Sequence, residues 1–227
     1  MPRAVIFANG RVPDLGKAGG LLRPDDVILC ANGGARHIKA LGRQPHTVIG
    51  DLDSLSREEI ANLTSSGIQV ELYPPRKDAT DLALALRFAD SSGFDPILII
   101  GGLGGRLDQV LTNIGLMGNP AYATRELCMD DGVEEVFFVR DRAVLTGRPG
   151  DRVSLIPWGG VAGGVRTENL EWPLDGDYLA PDESLGISNL MLGDSASVSI
   201  SFGLLLIVHH RQETTGPASD GEEAPSL

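Results

Sequence analysis

The sequence predicts an α/β N-terminal domain with a mainly parallel sheet, followed by an all-β sandwich domain. Two observations carry that division. Up to residue 117, short and wholly apolar runs alternate with segments whose apolar residues recur at helical spacing, the pattern of a parallel sheet covered on both faces. From Asn119-Pro120 onward, strand-like runs follow one another with only Gly, Pro and Asp turns between them. The boundary is placed near residue 132, giving domains over residues 1–132 and 133–211 and a tail over 212–227.

Residues 4–7 form the first strand, and Asn9-Gly10 turns it into a polar loop reaching Pro24. Residues 27–31 are the second strand, after which Asn32-Gly33-Gly34-Ala35 opens a helix over 37–41. The glycine pair at that junction would let backbone approach a ligand closely. A third strand over 47–49 delivers Gly50-Asp51-Leu52-Asp53-Ser54, and Ser56 with Glu59 forms a capping box for a helix reaching about residue 65. The fourth strand, 69–72, joins through Tyr73-Pro74-Pro75-Arg76 to Lys77-Asp78-Ala79-Thr80-Asp81, where Thr80 or Asp78 caps a helix over 81–91. A fifth strand over 96–100 feeds Gly101-Gly102-Leu103-Gly104-Gly105-Arg106, and a helix over 107–117 carries Asp108 and Gln109 in its first turn. Asn113, one turn further, is within reach of the same site, although a solvent-facing side chain is the expectation.

In the second half the strand-like runs are 126–129, 136–139, 143–145, 153–156, 163–167, 188–192 and 195–208. The tail is Thr, Gly, Pro, Ser and Glu with almost no apolar content. It cannot offset its ordering entropy and is expected to be disordered.

The formal charge of −12, with no basic patch to offset it, argues against a nucleic-acid partner, because phosphate neutralisation needs clustered Lys and Arg. Cys30 and Cys128 lie inside apolar runs without CxxC spacing, which reads as buried thiols in a reducing cytoplasm. The first apolar segment ends at Asn9-Gly10, too early for a signal peptide, and the longest apolar run, 202–208, is too short to span a membrane.

The chemistry concentrates in three acidic stretches that sit where a strand gives way to a helix. In an open α/β sheet those ends point at one crevice. Asp51, Asp53, Asp78, Asp81 and Asp108 gathered there would repel one another unless a cation lay among them. Mg²⁺ suits hard oxygen ligands and brings phosphates with it. Backbone N–H groups of the glycine-rich stretch and the forked guanidinium of Arg106 would hold those phosphates.

Gly-Asp-x-Asp-Ser, Asp-x-Thr-Asp and Gly-Gly-x-x-Gly-Arg-x-Asp-Gln, in this order, resemble thiamine pyrophosphokinase. The resemblance covers about residues 5–208. It implies transfer of a diphosphate from ATP to the hydroxyethyl group of thiamine, with Mg²⁺, in a homodimer. On that reading Asp51, Asp53, Asp78 and Asp81 hold the metal in an ATP-binding catalytic domain. Arg106, Gly102, Gly104 and Gly105 hold phosphates, Asp108 orients or deprotonates the hydroxyl, and Gln109 contacts substrate or nucleotide. Asn32, Gly33, Gly34 and Thr80 join the substrate-binding set; Asn32 stands where the family carries Asp, leaving a hydrogen-bonding role. In the second domain Asn169-Leu170-Glu171-Trp172-Pro173-Leu174 and Leu185-Gly186-Ile187-Ser188-Asn189 resemble two further family motifs, departing from them at Asn169, Glu171 and Ile187. They imply a thiamine pocket at the dimer interface, with Trp172 stacking on the pyrimidine and Ser188 and Asn189 beside it. A diphosphokinase for another alcohol, such as a hydroxymethyl pterin, or a non-catalytic binding module would share the acidic crevice.

Overall fold

A computed structural model describes residues 1–52, 57–74 and 78–212, without the side chains of Arg57 and Glu59. Asp53, the Ser56–Glu59 capping box and the tail from residue 213 therefore lie outside the described residues.

The first half is built from strands β1 (Ala4–Phe7), β2 (Val27–Ala31), β3 (Thr47–Gly50), β4 (Gln69–Leu72), β5 (Ile97–Ile100) and β6 (Leu127–Asp130). All pair in parallel, in the order β6-β5-β1-β2-β3-β4. Because side chains alternate across a strand, the run of apolar residues serves two cores at once. Ile6, Leu29, Ile49 and Ile99 face helices α4 (Asp81–Ser91) and α5 (Leu107–Met117), which contribute Leu82, Leu86, Ile114 and Met117. Val5, Phe7, Val48 and Leu98 face the opposite side, where α1 (Leu15–Gly20), α2 (Ala35–Ala40) and α3 (Arg57–Ser65) bring Ala18, Ile38, Ile60 and Leu63.

Helix α1 lies inside the stretch expected to be loop. The Asp14 carboxylate caps it by accepting from the Lys17 N–H at 2.9 Å. Its Leu-Gly-Lys-Ala-Gly-Gly sequence buries only Ala18, so no helical periodicity advertises it. Thr80, rather than Asp78, caps α4: its hydroxyl accepts from the Ala83 N–H at 3.2 Å.

Strand direction changes on either side of residue 132. β7 (Glu134–Val139) pairs antiparallel with β6, and β14 (Leu205–His210), β9 (Arg152–Pro157) and β12 (Asn189–Leu190) extend the same sheet to ten strands. Over this extension lies a four-stranded sheet in the order β11 (Asp175–Leu179), β10 (Ala162–Glu168), β13 (Ser195–Ser199), β8 (Arg142–Thr146). Leu145, Val165 and Val198 of the small sheet meet Leu155, Leu205 and Ile207 of the large one in a third core. The β sandwich thus borrows one layer from the sheet of the α/β half.

The run expected to continue from 195 to 208 is two strands in different sheets, β13 and β14, with a turn between them at Gly203, whose φ is 94°. Strand β11, Asp175-Gly-Asp-Tyr-Leu, lies outside the expected strand-like runs, because its two acids and glycine carry no strand pattern. Among the described residues no helix is long and apolar enough to cross a membrane.

Candidate active site

β1 is flanked by β2 on one side and β5 on the other, so the strand order reverses beside it. A crevice opens at the carboxyl ends of strands where connections leave in opposite directions. Here it is a cleft of about 500 Å³, walled by Asn9 and Gly10 after β1, Asn32 after β2, Thr80 and Asp81 at the start of α4, and Gly104, Gly105 and Arg106 before α5. Gln109 and Asn113 of α5 complete the wall.

The loop after β1 and the glycine-rich loop after β5 are tied together by their own backbones. The Gly10 N–H donates to Gly101 O at 3.0 Å and the Arg11 N–H to Gly104 O at 3.2 Å. The contact is so close that a Cβ on Gly104 would run into the Arg11 carbonyl. His37 Nε2 lies 2.9 Å from the Gly10 carbonyl and Arg36 donates to the Asn9 carbonyl at 2.7 Å, anchoring the first loop to α2. Burial holds the His37 ring below the usual histidine value.

Opposite these loops, Asp51 and Asp81 come together although they leave different strands and helices. Asn32 Nδ2 donates to Asp51 Oδ1 at 3.0 Å and to Asp81 Oδ2 at 3.2 Å. Mg²⁺ is commonly held by one or two carboxylates with water and phosphate oxygens completing its shell, so Asp51 and Asp81 fit that ion. Asp78 is exposed on the approach to Thr80.

Asp108 stands on the lip of the cleft rather than in its wall. Arg106 grips it in a fork, with Nε 3.1 Å from Oδ1 and Nη2 2.5 Å from Oδ2, and both side chains are exposed. The Arg106 guanidinium holds the Asp108 carboxyl below the ordinary carboxylate range, helped by the Gln109 N–H.

On the β sandwich the segment 169–172 runs beside 189–192, linked by Glu171 N–H to Leu190 O at 2.9 Å and Leu192 N–H to Asn169 O at 3.0 Å. Trp172 is 56% exposed there, with Leu192 and Ile187 also exposed. Ser188 is exposed at a φ of 61°. Asn189 is buried, its carboxamide engaged with the Trp172 backbone.

Family models match both halves of this architecture: "Thiamin pyrophosphokinase, catalytic domain" over residues 19–129 and "Thiamin pyrophosphokinase, vitamin B1 binding domain" over residues 143–206. The chain belongs to the thiamin pyrophosphokinase family. Thiamine pyrophosphokinase of Bacillus subtilis is 25% identical over 166 residues, 72% of this chain and 78% of the relative. Thiamine pyrophosphokinase 3 of Oryza sativa is 25% identical over 87% of this chain and 82% of its own length. The fold superposes on the crystal structure of the B. subtilis protein with a TM-score of 0.81 at 22% identity, covering 93% of this chain and all of that one. On the yeast thiamin pyrophosphokinase structure the TM-score is 0.72 at 17% identity, with 92% and 86% covered.

Membership in the thiamin pyrophosphokinase family makes the chain an enzyme of diphosphoryl transfer. Of the residues singled out in the sequence, the structure brings Asn32, Thr80, Asp81, Gly104, Gly105, Arg106 and Gln109 to one cleft and joins Asp51 to it through Asn32. The glycines at 33, 34 and 102 approach the chain itself: Gly33 sits against the Asn9 side chain, Gly34 against the Phe7 carbonyl and Gly102 against Met129. Their missing Cβ atoms serve packing.

Sequence reasoning missed Asn9 and Gly10 as cleft residues, since Asn-Gly reads as a plain turn. It also misplaced Asn113, which is buried and donates to the Gly102 carbonyl at 2.9 Å. Its place on the helix face of Val110, Ile114 and Met117 was the available signal.

Proposed function

We propose that this chain transfers the terminal diphosphate of ATP to the hydroxyethyl oxygen of thiamine, yielding thiamine diphosphate and AMP. The observation that carries this reading is the convergence of Asp51 and Asp81, through Asn32, on the cleft that Gly104, Gly105 and Arg106 also wall. The thiamine oxygen would attack the β-phosphorus as its bond to the oxygen bridging the α-phosphate breaks. AMP leaves with that bridging oxygen, and the hydroxyl proton passes to a base.

Mg²⁺ bound among these carboxylates would neutralise phosphate charge and align the reacting groups. Asp51 and Asp81, with Asp78 and Asp53 beside them in sequence, are the proposed ligands. Arg106 is exposed at the lip and carries a forked donor that matches a phosphate. Turning from Asp108 to a phosphate, it would release a carboxylate to orient the thiamine hydroxyl or take its proton. Gln109 would contact the nucleotide or the acceptor. Trp172 offers an exposed ring face for the pyrimidine, Ser188 a hydroxyl for its polar edge, and Asn189 the support beneath them. We place the thiamine site at a homodimer interface and the protein in the cytoplasm, where Cys30 and Cys128 stay reduced as free thiols.

Incubating the protein with ATP, Mg²⁺ and thiamine should produce AMP and thiamine diphosphate in equal amounts. A hydroxymethyl pterin in place of thiamine should give neither AMP nor a diphosphate ester. Absence of AMP with thiamine, or equal turnover with the pterin, would overturn the assignment.

A further inference from the structure

We propose that Asn32 is the positioning residue of the cation site, holding Asp51 and Asp81 together before any cation arrives; this rests on the reading of those two carboxylates as cation ligands. The side-chain amide carries two hydrogens and uses them on two different acids, 3.0 Å to Asp51 Oδ1 and 3.2 Å to Asp81 Oδ2. One neutral group thereby links the loop after β3 to the first turn of α4.

The local backbone is built to deliver that amide. Asn32 has a φ of 45°, a left-handed conformation that L residues seldom adopt and that Asn tolerates better than most. Gly50 leaves the room the side chain needs: a Cβ at that position would stand 3.0 Å from Asn32 Cβ and 3.2 Å from Asp81 Oδ1.

Carboxylates held close repel, and the N–H dipoles of Asn32 offset part of that repulsion without adding net charge. An ionised Asp at this position would carry no side-chain hydrogen and could not bridge the two acids. The neutral donor of Asn32 keeps the pair assembled without adding a third anion. Ordering a ligand set in advance is how outer groups raise metal affinity.

The test uses the full chain without nucleotide and Mn²⁺ as the probe, with free Mn²⁺ followed by electron paramagnetic resonance and unfolding followed by circular dichroism. The parent should bind Mn²⁺ and Asp81→Asn should lose it; if the parent binds none, the cation-site reading falls and this inference with it. Asn32→Gly keeps the left-handed backbone and removes the amide, and it should weaken Mn²⁺ about tenfold or more, the effect typical of losing a group that orients metal ligands. Asn32→Asp, nearly isosteric, should melt below the parent when metal-free and recover when Mn²⁺ saturates it. A merely structural amide would lower stability in both variants alike and leave the Mn²⁺ affinity of the folded protein within about twofold of the parent, short of the tenfold effect above. That outcome overturns the inference while leaving Asp51 and Asp81 as ligands. Should Asn32→Gly fail to fold, equal melting of Asn32→Asp with and without Mn²⁺ would overturn it equally.

Discussion

The carboxamide of Asn189 clamps the backbone of Trp172 from both sides, its Oδ1 accepting from the Trp172 N–H at 3.0 Å and its Nδ2 donating to the Trp172 carbonyl at 2.7 Å. A buried amide therefore fixes an exposed indole, which separates a binding surface from its support. Trp172→Ala should lose about 1–3 kcal/mol of thiamine binding, the range for removing a base–aromatic stack. Trp172→Phe should restore most of it, and ATP affinity should stay unchanged in both. Because Trp172 is 56% exposed, the melting temperature should barely move. A large drop in melting temperature, with both ligands weakened together, would mark the ring as packing and not as a binding surface. Asn189→Ala should weaken thiamine binding in the same direction while also destabilising the fold, since it strands two backbone groups.

Asp81→Asn should leave the fold intact, because Thr80 is the residue that caps α4. Turnover should fall by about 10²-fold or more, the scale for removing one preorganised electrostatic partner of a transition state. Near-normal turnover in the folded variant would remove Asp81 from the cation site.

Gly34→Ala should destabilise the α/β half without touching a ligand contact. The added Cβ would collide with the carbonyl of Phe7, and the backbone of β1 cannot yield without disturbing its pairing with β2 and β5. Overpacking of this kind costs about 1–3 kcal/mol. Urea unfolding of the variant measures it directly, and an unchanged midpoint would contradict the packing role given to Gly34.

Asp26 ties β2 to β1 through Arg3, which reaches both of its oxygens at 2.7 Å. Burial alone would raise the Asp26 carboxyl, but the hydrogen bonds from Arg3 and from the Arg23 N–H outweigh it and hold it below its ordinary value. A carboxyl lowered on folding stabilises above its unfolded value, about 3.9, and that contribution is lost as pH falls below it toward the folded value. Asp26→Asn should thus destabilise at pH 7 by about 3–5 kcal/mol, the range for breaking a buried pair, and by clearly less near pH 3. Equal destabilisation at both values would rule out the linkage.

Much of this site could be read in the sequence because short-range patterns carry it. The apolar runs at 4–7, 27–31 and 97–100 can be satisfied only by a sheet covered on both faces, and such a sheet gathers the loops after its strands at one edge. That was enough to place Asp51, Asp81, Gly104 and Arg106 at one crevice. The tryptophan and the Ser188-Asn189 pair were marked by motif, but motif could not tell which side chain faces outward.

By itself, then, the sequence determined the order of elements, the edge of the sheet where chemistry gathers and the residue types brought there. Only the tertiary structure decided how those residues divide their work, because hydrogen bonds between distant segments have no sequence period. Asn32 meets Asp51 and Asp81 only once β2, β3 and α4 are packed, Asn113 turns inward only because the Gly102 carbonyl lies in reach, and the sandwich takes a layer from the large sheet because β7 pairs with β6. Each of these depends on a partner supplied by another element, and local propensity carries no record of it.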